Sequence, residues 1–207
     1  MASRTAAITK AIDAQDRHTD GRRERSRSSR RKILRAMLEL QLSGVVDPSA
    51  ASVAERAGVG IRTVFRHFDD KESIYRELNR ILVDLYQPEL ARPYSSECWR
   101  DQLFELVARR ARVYEAIAPV RISTSVLRFR SPALMKNYSE LIGGERSMLE
   151  AILPPAVKRQ RGRVRAISLV AGFDTWRMLR QDEELSARKT VAAIHELLED
   201  ILAGIAD

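Results

Sequence analysis

The sequence predicts an all-α fold in two parts, an N-terminal three-helix helix-turn-helix and a longer C-terminal helical domain. Three observations carry this expectation. Apolar residues recur every three or four positions from Arg30 to the end, and no run alternates as a half-buried strand would. Pro48, Gly58 and Gly60 divide the stretch from Val45 to Leu78 into short helices, with a glycine turn between the second and third. The chain has 207 residues, 44% of them hydrophobic, enough to fold by apolar burial without metal or disulfide staples.

Taken in order, residues 1–28 mix Ala, Thr, Asp and Arg, lose apolar periodicity after Ile12, and read as a flexible arginine-rich arm. A first helix follows from Arg30 to about Ser43, with Ile33, Leu34, Met37 and Leu40 inward. Pro48 cannot continue it, and Asp47 or Ser49 caps a second helix whose inward residues are Ala50, Val53, Ala54 and Ala57. Gly58 suits the turn, a third short helix runs through Ile61, Val64, Phe65 and Phe68, and Asp69-Asp70 cap a fourth that begins at Lys71. Helices are then expected at about 71–87, 98–117, 119–129, 132–152, 161–181 and 186–205, separated by loops at Arg92-Pro93, Pro154-Pro155 and 181–185. This gives an arm at 1–28, a helix-turn-helix at 29–76 and a helical domain at 77–207.

The formal net charge of +8 is unevenly placed. Residues 1–35 hold eleven Lys and Arg against four acids, a net of +7, whereas residues 36–76 hold five against six. A solubilising tail and a polyanion-binding arm both account for such a segment. Ahead of a helix-turn-helix, the second reading lets Arg22, Arg23, Arg25, Arg27 and Arg30 follow a DNA backbone or enter an A·T-rich minor groove.

Within the motif, Val53, Ala54, Ala57, Val59, Val64 and Phe68 can brace a recognition helix, leaving Ile61, Arg62, Thr63, Arg66 and His67 outward or sideways. The Arg62 guanidinium suits bidentate contact with guanine, and Thr63 offers a methyl-bearing hydroxyl to thymine or phosphate. Ser49 and Lys71 stand at helix N-termini, where backbone dipoles attract phosphate, and are expected to position the domain without reading sequence.

The run Ser49, Val53-Ala54, Ala57-Gly58-Val59, Thr63-Val64-Phe65, His67-Phe68, Lys71-Glu72 and Ile74 resembles the DNA-binding domain of tetracycline-repressor-like (TetR family) transcription regulators. The remainder agrees only in length, helical pattern and a plausible pair of final helices. Two positions depart: Phe65 stands where the family usually has Tyr, losing a phosphate-reaching hydroxyl, and Gly60 stands where Ser or Thr usually opens the third helix. For His67 the resemblance implies a phosphate contact, while capping or packing against Phe68 fits the residue equally. Overall the resemblance implies a homodimeric regulator, a repressor, that binds a palindromic operator in double-stranded DNA and is released by a small-molecule effector.

The resemblance also places a four-helix dimer interface on the last two helices. Val164, Ile167, Ser168, Ala171, Thr175 and Met178 form a stripe on one, and Val191, Ile194, Leu198, Ile201 and Leu202 a stripe on the other. It places an effector cavity among the central helices, for which Phe104, Val107, Tyr114, Tyr138 and Phe173 are lining candidates and Arg121, Thr124 and Ser125 polar orienting groups.

No phosphate-cradling glycine loop, nucleophile elbow or metal-ligand spacing is present, with one cysteine, Cys98, and three separated histidines, so neither an enzyme nor a cofactor or metal site is expected. No apolar stretch reaches the roughly 18–20 residues of a membrane span, and no secretory signal opens the chain, so the expected location is cytoplasmic. The competing expectations are a basic architectural protein that binds DNA with little sequence preference, and an interaction module whose basic arm meets an acidic protein partner.

Overall fold

The computed structural model describes residues 2–14 and 21–205, and the side chains of residues 5–14 and 26–205. Among the described residues the chain is helical, without a strand. It forms two compact units, one from residues 1–87 and 116–138 and the other from residues 88–115 and 139–207.

In the first unit, α1 (Ala2–Ala14) precedes α2 (Gly21–Leu42). Ile8 and Ile12, one helical turn apart, are fully buried in the core that also holds Ile33 and Met37 of α2, and Arg35 pairs with Asp13. Over residues 2–14 this corrects the expectation of a flexible arm. Two isoleucines on one face suffice to anchor a helix against a neighbour, although they are too few to set up a long periodic signal. The helix expected from Arg30 begins at Gly21, because arginine, lysine and glutamate are good helix formers and extend a helix anchored by Ile33, Leu34, Met37 and Leu38.

Next come α3 (Ala50–Ala57), α4 (Ile61–His67) and α5 (Lys71–Leu90). The end of α6 (Trp99–Leu127), a 3₁₀ turn at Arg128–Arg130 and the start of α7 (Pro132–Ile152) complete the unit. Val120, Leu127 and Leu134 share one core with Val53, Val64, Phe68, Ile74 and Leu78. The helix-turn-helix is therefore not a separate body ending at residue 76. Three short helices bury little apolar surface by themselves, and these later residues supply the rest.

One core position is mismatched. Gln41 is 1% exposed, and among the described residues neither its amide oxygen nor its nitrogen has a partner. An unpaired buried amide costs about 1–3 kcal/mol. Gln41→Met should raise the denaturation midpoint by the equivalent of about 1 kcal/mol without changing the m-value; a lower midpoint would show that the amide is satisfied.

The second unit is built from the start of α6, the end of α7, α8 (Pro155–Lys158), α9 (Arg161–Val170), α10 (Phe173–Arg177), a π-helical turn at Met178–Asp182 and α11 (Ala187–Leu202). The single helix expected over 161–181 is broken at Ala171-Gly172. Gly172 lies so close to α9 that a Cβ would stand 3.1 Å from the Ser168 carbonyl oxygen. Conversely, the separate helices expected at 98–117 and 119–129 are one, with Pro119 carried inside it. The loop before α6 is pinned by Arg109, whose buried guanidinium donates to the carbonyls of Leu90, Arg92 and Pro93 and to Glu105, and lies 4.6 Å from the Tyr94 ring centroid.

Candidate nucleic-acid interface

The interface is built on α3 and α4. Ser49 is extended and caps α3, its hydroxyl oxygen accepting from the Ser52 amide at 3.0 Å. Gly58 ends α3 in the left-handed region, φ 63° and ψ 38°, and its N–H returns to the carbonyls of Ala54 and Glu55. Only glycine takes this conformation without strain, so the turn is dictated by the residue. Gly60 opens α4 in extended geometry without a side-chain cap.

Seven residues make the recognition helix, and its two faces separate cleanly. Val64 is buried, as is Phe68 just beyond the helix end. Ile61 and Phe65, one turn apart, are 46% and 50% exposed, and Arg62 and Arg66 are exposed beside them. Thr63 is half-buried. A guanidinium, a second cation and two apolar groups on one open face suit a major groove, where guanine offers paired acceptors and thymine a methyl group.

Arg30 does something other than the expected arm contact. Its guanidinium donates to Glu77, at 3.0 Å from Nε, and to the His67 carbonyl at 2.6 Å, and it lies 4.3 Å from the Phe68 ring centroid. It joins α2, the C-terminal end of α4 and α5, and a cation there complements the negative end of the α4 dipole. The sequence exhibits its charge but not its partner Glu77, 47 positions away. Of the other arm arginines, Arg27 is half-buried, and the side chains of Arg22, Arg23 and Arg25 lie outside the described residues.

Lys71, expected as a phosphate anchor, pairs with Asp47. Asp47 also accepts from the Tyr75 hydroxyl at 3.2 Å and from Arg130 at 2.7 Å. Burial pushes the Asp47 carboxyl up, but the hydrogen bond and charge of Lys71, with Tyr75 and Arg130, outweigh it and hold the group below its ordinary value. Ser131 donates to Glu72 at 2.6 Å. The α6–α7 turn thus grips the helix-turn-helix at Asp47 and Glu72, a contact that no local sequence signal announces.

His67 carries a buried Nε2 without a partner among the described residues. Burial first, then the charges of Arg66 and Arg30, hold its imidazole below the usual histidine range. A neutral ring with a buried nitrogen suits packing at the end of α4 better than a phosphate contact.

The eight effector-lining candidates divide between the two units, four in each. In the first unit Arg121 lies 5.4 Å from the Tyr138 ring centroid, Thr124 is 3.3 Å from Asn79 Oδ1, and Ser125 donates to the Ile122 carbonyl of its own helix. In the second unit Tyr114 meets Phe173 edge-on at 5.2 Å, Val107 is buried, and Phe104 packs on His195 of α11 with ring centroids 4.7 Å apart.

The expected dimer stripe is also redistributed. Val164, Ile167, Ala171, Ile194, Leu198 and Leu202 are all buried within the subunit. α9 and α11 pack against each other. Ser168 and Thr175 donate to carbonyls nearby, Val191 and Ile201 are half-buried, and Met178 is exposed. The apolar groups left outward are Leu169, 72% exposed, with Met178 and Leu197.

Among the described residues, no group of three or more His, Cys, Asp and Glu could hold a metal ion, and no helix is long and apolar enough to cross a membrane.

Residues 43–78 match the sequence profile described as bacterial regulatory proteins, tetR family. Among solved structures, a transcriptional regulator from Rhodococcus sp. Rha1 is 22% identical, with 86% of this chain and 99% of that chain covered at a TM-score of 0.65. A protein from Mesorhizobium loti MAFF303099 assigned to the TetR family of transcriptional regulators is 19% identical, with coverages of 86% and 97% and a TM-score of 0.52. A Clostridium perfringens protein assigned to the regulation of fatty acid metabolism is 16% identical, with coverages of 85% and 99% and a TM-score of 0.54. No match was found among curated proteins. At these identities the structural likenesses establish the fold.

Proposed function

We propose, from the match of residues 43–78 to the tetR family profile, that the chain is a transcriptional regulator of that family which binds a palindromic operator as a homodimer, represses, and is released by a small-molecule effector. The observation that carries the reading is the open face of α4, with Ile61, Arg62, Phe65 and Arg66 outward over buried Val64 and Phe68. Arg62 reads guanine, Ile61 and Phe65 meet thymine methyl groups, and Arg66, Thr63 and the N-terminus of α3 at Ser49 hold phosphates. One such helix reads too few base pairs for useful selectivity, so two are required on successive major grooves about 34 Å apart. The exposed Leu169, Met178 and Leu197, with the half-buried Val191 and Ile201, are assigned to the self-association face. An effector releases DNA only by binding better to a dimer geometry in which the two recognition helices miss those grooves.

Competition against excess random DNA tests the reading. A specific regulator retains its site by a factor of about 10³ or more, whereas a ratio near unity supports the architectural alternative.

The basic N-terminal part of α2 acts as an auxiliary clamp. Deleting residues 1–27 would not isolate this effect, since Ile8 and Ile12 belong to the core. Replacing Arg22, Arg23, Arg25 and Arg27 together by Gln keeps helix propensity and removes charge. The slope of log K against log[salt] should then flatten by about 2–4 per subunit, at about 0.9 per phosphate; an unchanged slope would show that α2 is no clamp.

A further inference from the structure

Other cations of the second unit are matched by carboxylates, among them Arg109 by Glu105 at 2.6 Å and Arg180 by Glu115 at 2.5 Å. Arg110 is not. It is 3% exposed, its Nη1 and Nη2 donate to the carbonyl oxygens of Ala171 (3.3 Å) and Glu145, and its Nε is buried with no acceptor. Among the described residues no carboxylate pairs with it. Buried charges are ordinarily neutralised by a partner, so an unmatched guanidinium in the interior marks a place for an anion.

Its surroundings say what kind. Arg110 and Tyr114 are one turn apart on α6 and share a face. Tyr114 stands 5.2 Å from Phe173 and 5.7 Å from Trp176, and Phe173 and Trp176 stack at 5.6 Å. Ala171, whose carbonyl Arg110 reaches, lies two residues before Phe173. Trp176 is 3% exposed, and its indole N–H is also buried without an acceptor. Immediately beyond it comes the π-helical turn, closed by Glu183 N–H to the Met178 carbonyl at 3.0 Å and followed by Glu184 at a left-handed φ of 54°. Such turns occur frequently at functional sites.

We propose that Arg110 and Trp176, with Tyr114 and Phe173, form an effector site for a small monocarboxylate with a flat apolar body. Arg110 Nε–H and Trp176 Nε1–H are both buried donors without an acceptor among the described residues, and the proposal assigns them the two oxygens of one carboxylate. The aromatic rings take the apolar body. A single guanidinium balances one negative charge, which disfavours a phosphate dianion in so apolar a setting. The proposal rests on the ligand-responsive part of the functional reading and gives that ligand a chemical class.

The probe is 3-phenylpropionate, compared with 3-phenylpropanamide and 2-phenylethylphosphonate, on the full chain carrying Trp99→Phe so that Trp176 reports alone. The carboxylate should change Trp176 fluorescence saturably and raise the melting temperature, with the amide and the phosphonate at least about tenfold weaker. Arg110→Met and Trp176→Phe should each weaken the carboxylate about tenfold or more. Trp176→Phe keeps the ring packing and stands in should Arg110→Met fail to fold. No response to millimolar carboxylate, equal binding of the acid and the amide, or tighter binding of the phosphonate would overturn the proposal. Carboxylate bound while DNA is retained supports the site and removes effector release from the functional reading; specific DNA binding with no carboxylate response overturns the site alone.

Discussion

Arg62→Ala should lower affinity for the preferred operator by about 1–3 kcal/mol per half-site, roughly 5–150-fold, while leaving affinity for random DNA nearly unchanged. The residue is exposed on the open face of α4, two positions from the buried Val64 that seats the helix, so its loss should remove the proposed base contact without disturbing the fold. A residue that only neutralised phosphate would behave differently, weakening all sequences alike and reducing the salt slope by about one. Equilibrium binding to operator and random duplexes at several salt concentrations separates the two. A parallel loss on both DNAs would move Arg62 from reading to positioning.

Arg109→Met should reduce the unfolding free energy by about 3–5 kcal/mol, with a melting temperature lower by roughly 6–20 °C. The guanidinium is fully buried, and removing it strands the Leu90, Arg92 and Pro93 carbonyls together with Glu105. The same network makes the unit acid-sensitive. The Ser95 amide and hydroxyl, with Arg109, lower the Glu105 carboxyl to about 2. A carboxylate more acidic when folded than unfolded contributes its full stabilisation above about pH 4.3 and loses it as pH falls toward 2. Glu105→Gln should therefore flatten stability against pH in that window. A loss under about 1 kcal/mol for Arg109→Met would mean that the loop from residues 91 to 98 holds without the clamp.

The helix-turn-helix was legible because its punctuation is local. Pro48, Ser49, Gly58 and Asp70 fix caps and turns through their own backbone and side-chain chemistry, and α7 begins and ends where proline and periodicity place it. What escaped is non-local. Val120 and Leu134 join the core of α2–α5 across many intervening residues, and nothing in their immediate neighbours distinguishes them from core of the second unit. Periodicity identified Val164, Ile167, Ile194 and Leu198 as a face that must be covered, but not that their own subunit covers it. Charge behaves the same way: Arg30, Arg109 and Arg110 look alike in sequence, yet one braces α4, one pins a loop and one is left without a carboxylate. The excess charge at the N-terminus is thus partly structural, and the proposed function assigns discrimination to the few side chains on the open face of α4.

Selection of bound sequences from a random DNA pool tests the central claim most directly. The account predicts a consensus of two inverted half-sites with centres about 10 base pairs, or a multiple of that, apart, and a guanine in each half-site whose selection is lost in Arg62→Ala. Recovery of sequences without inverted symmetry, or of no consensus at all, would contradict it.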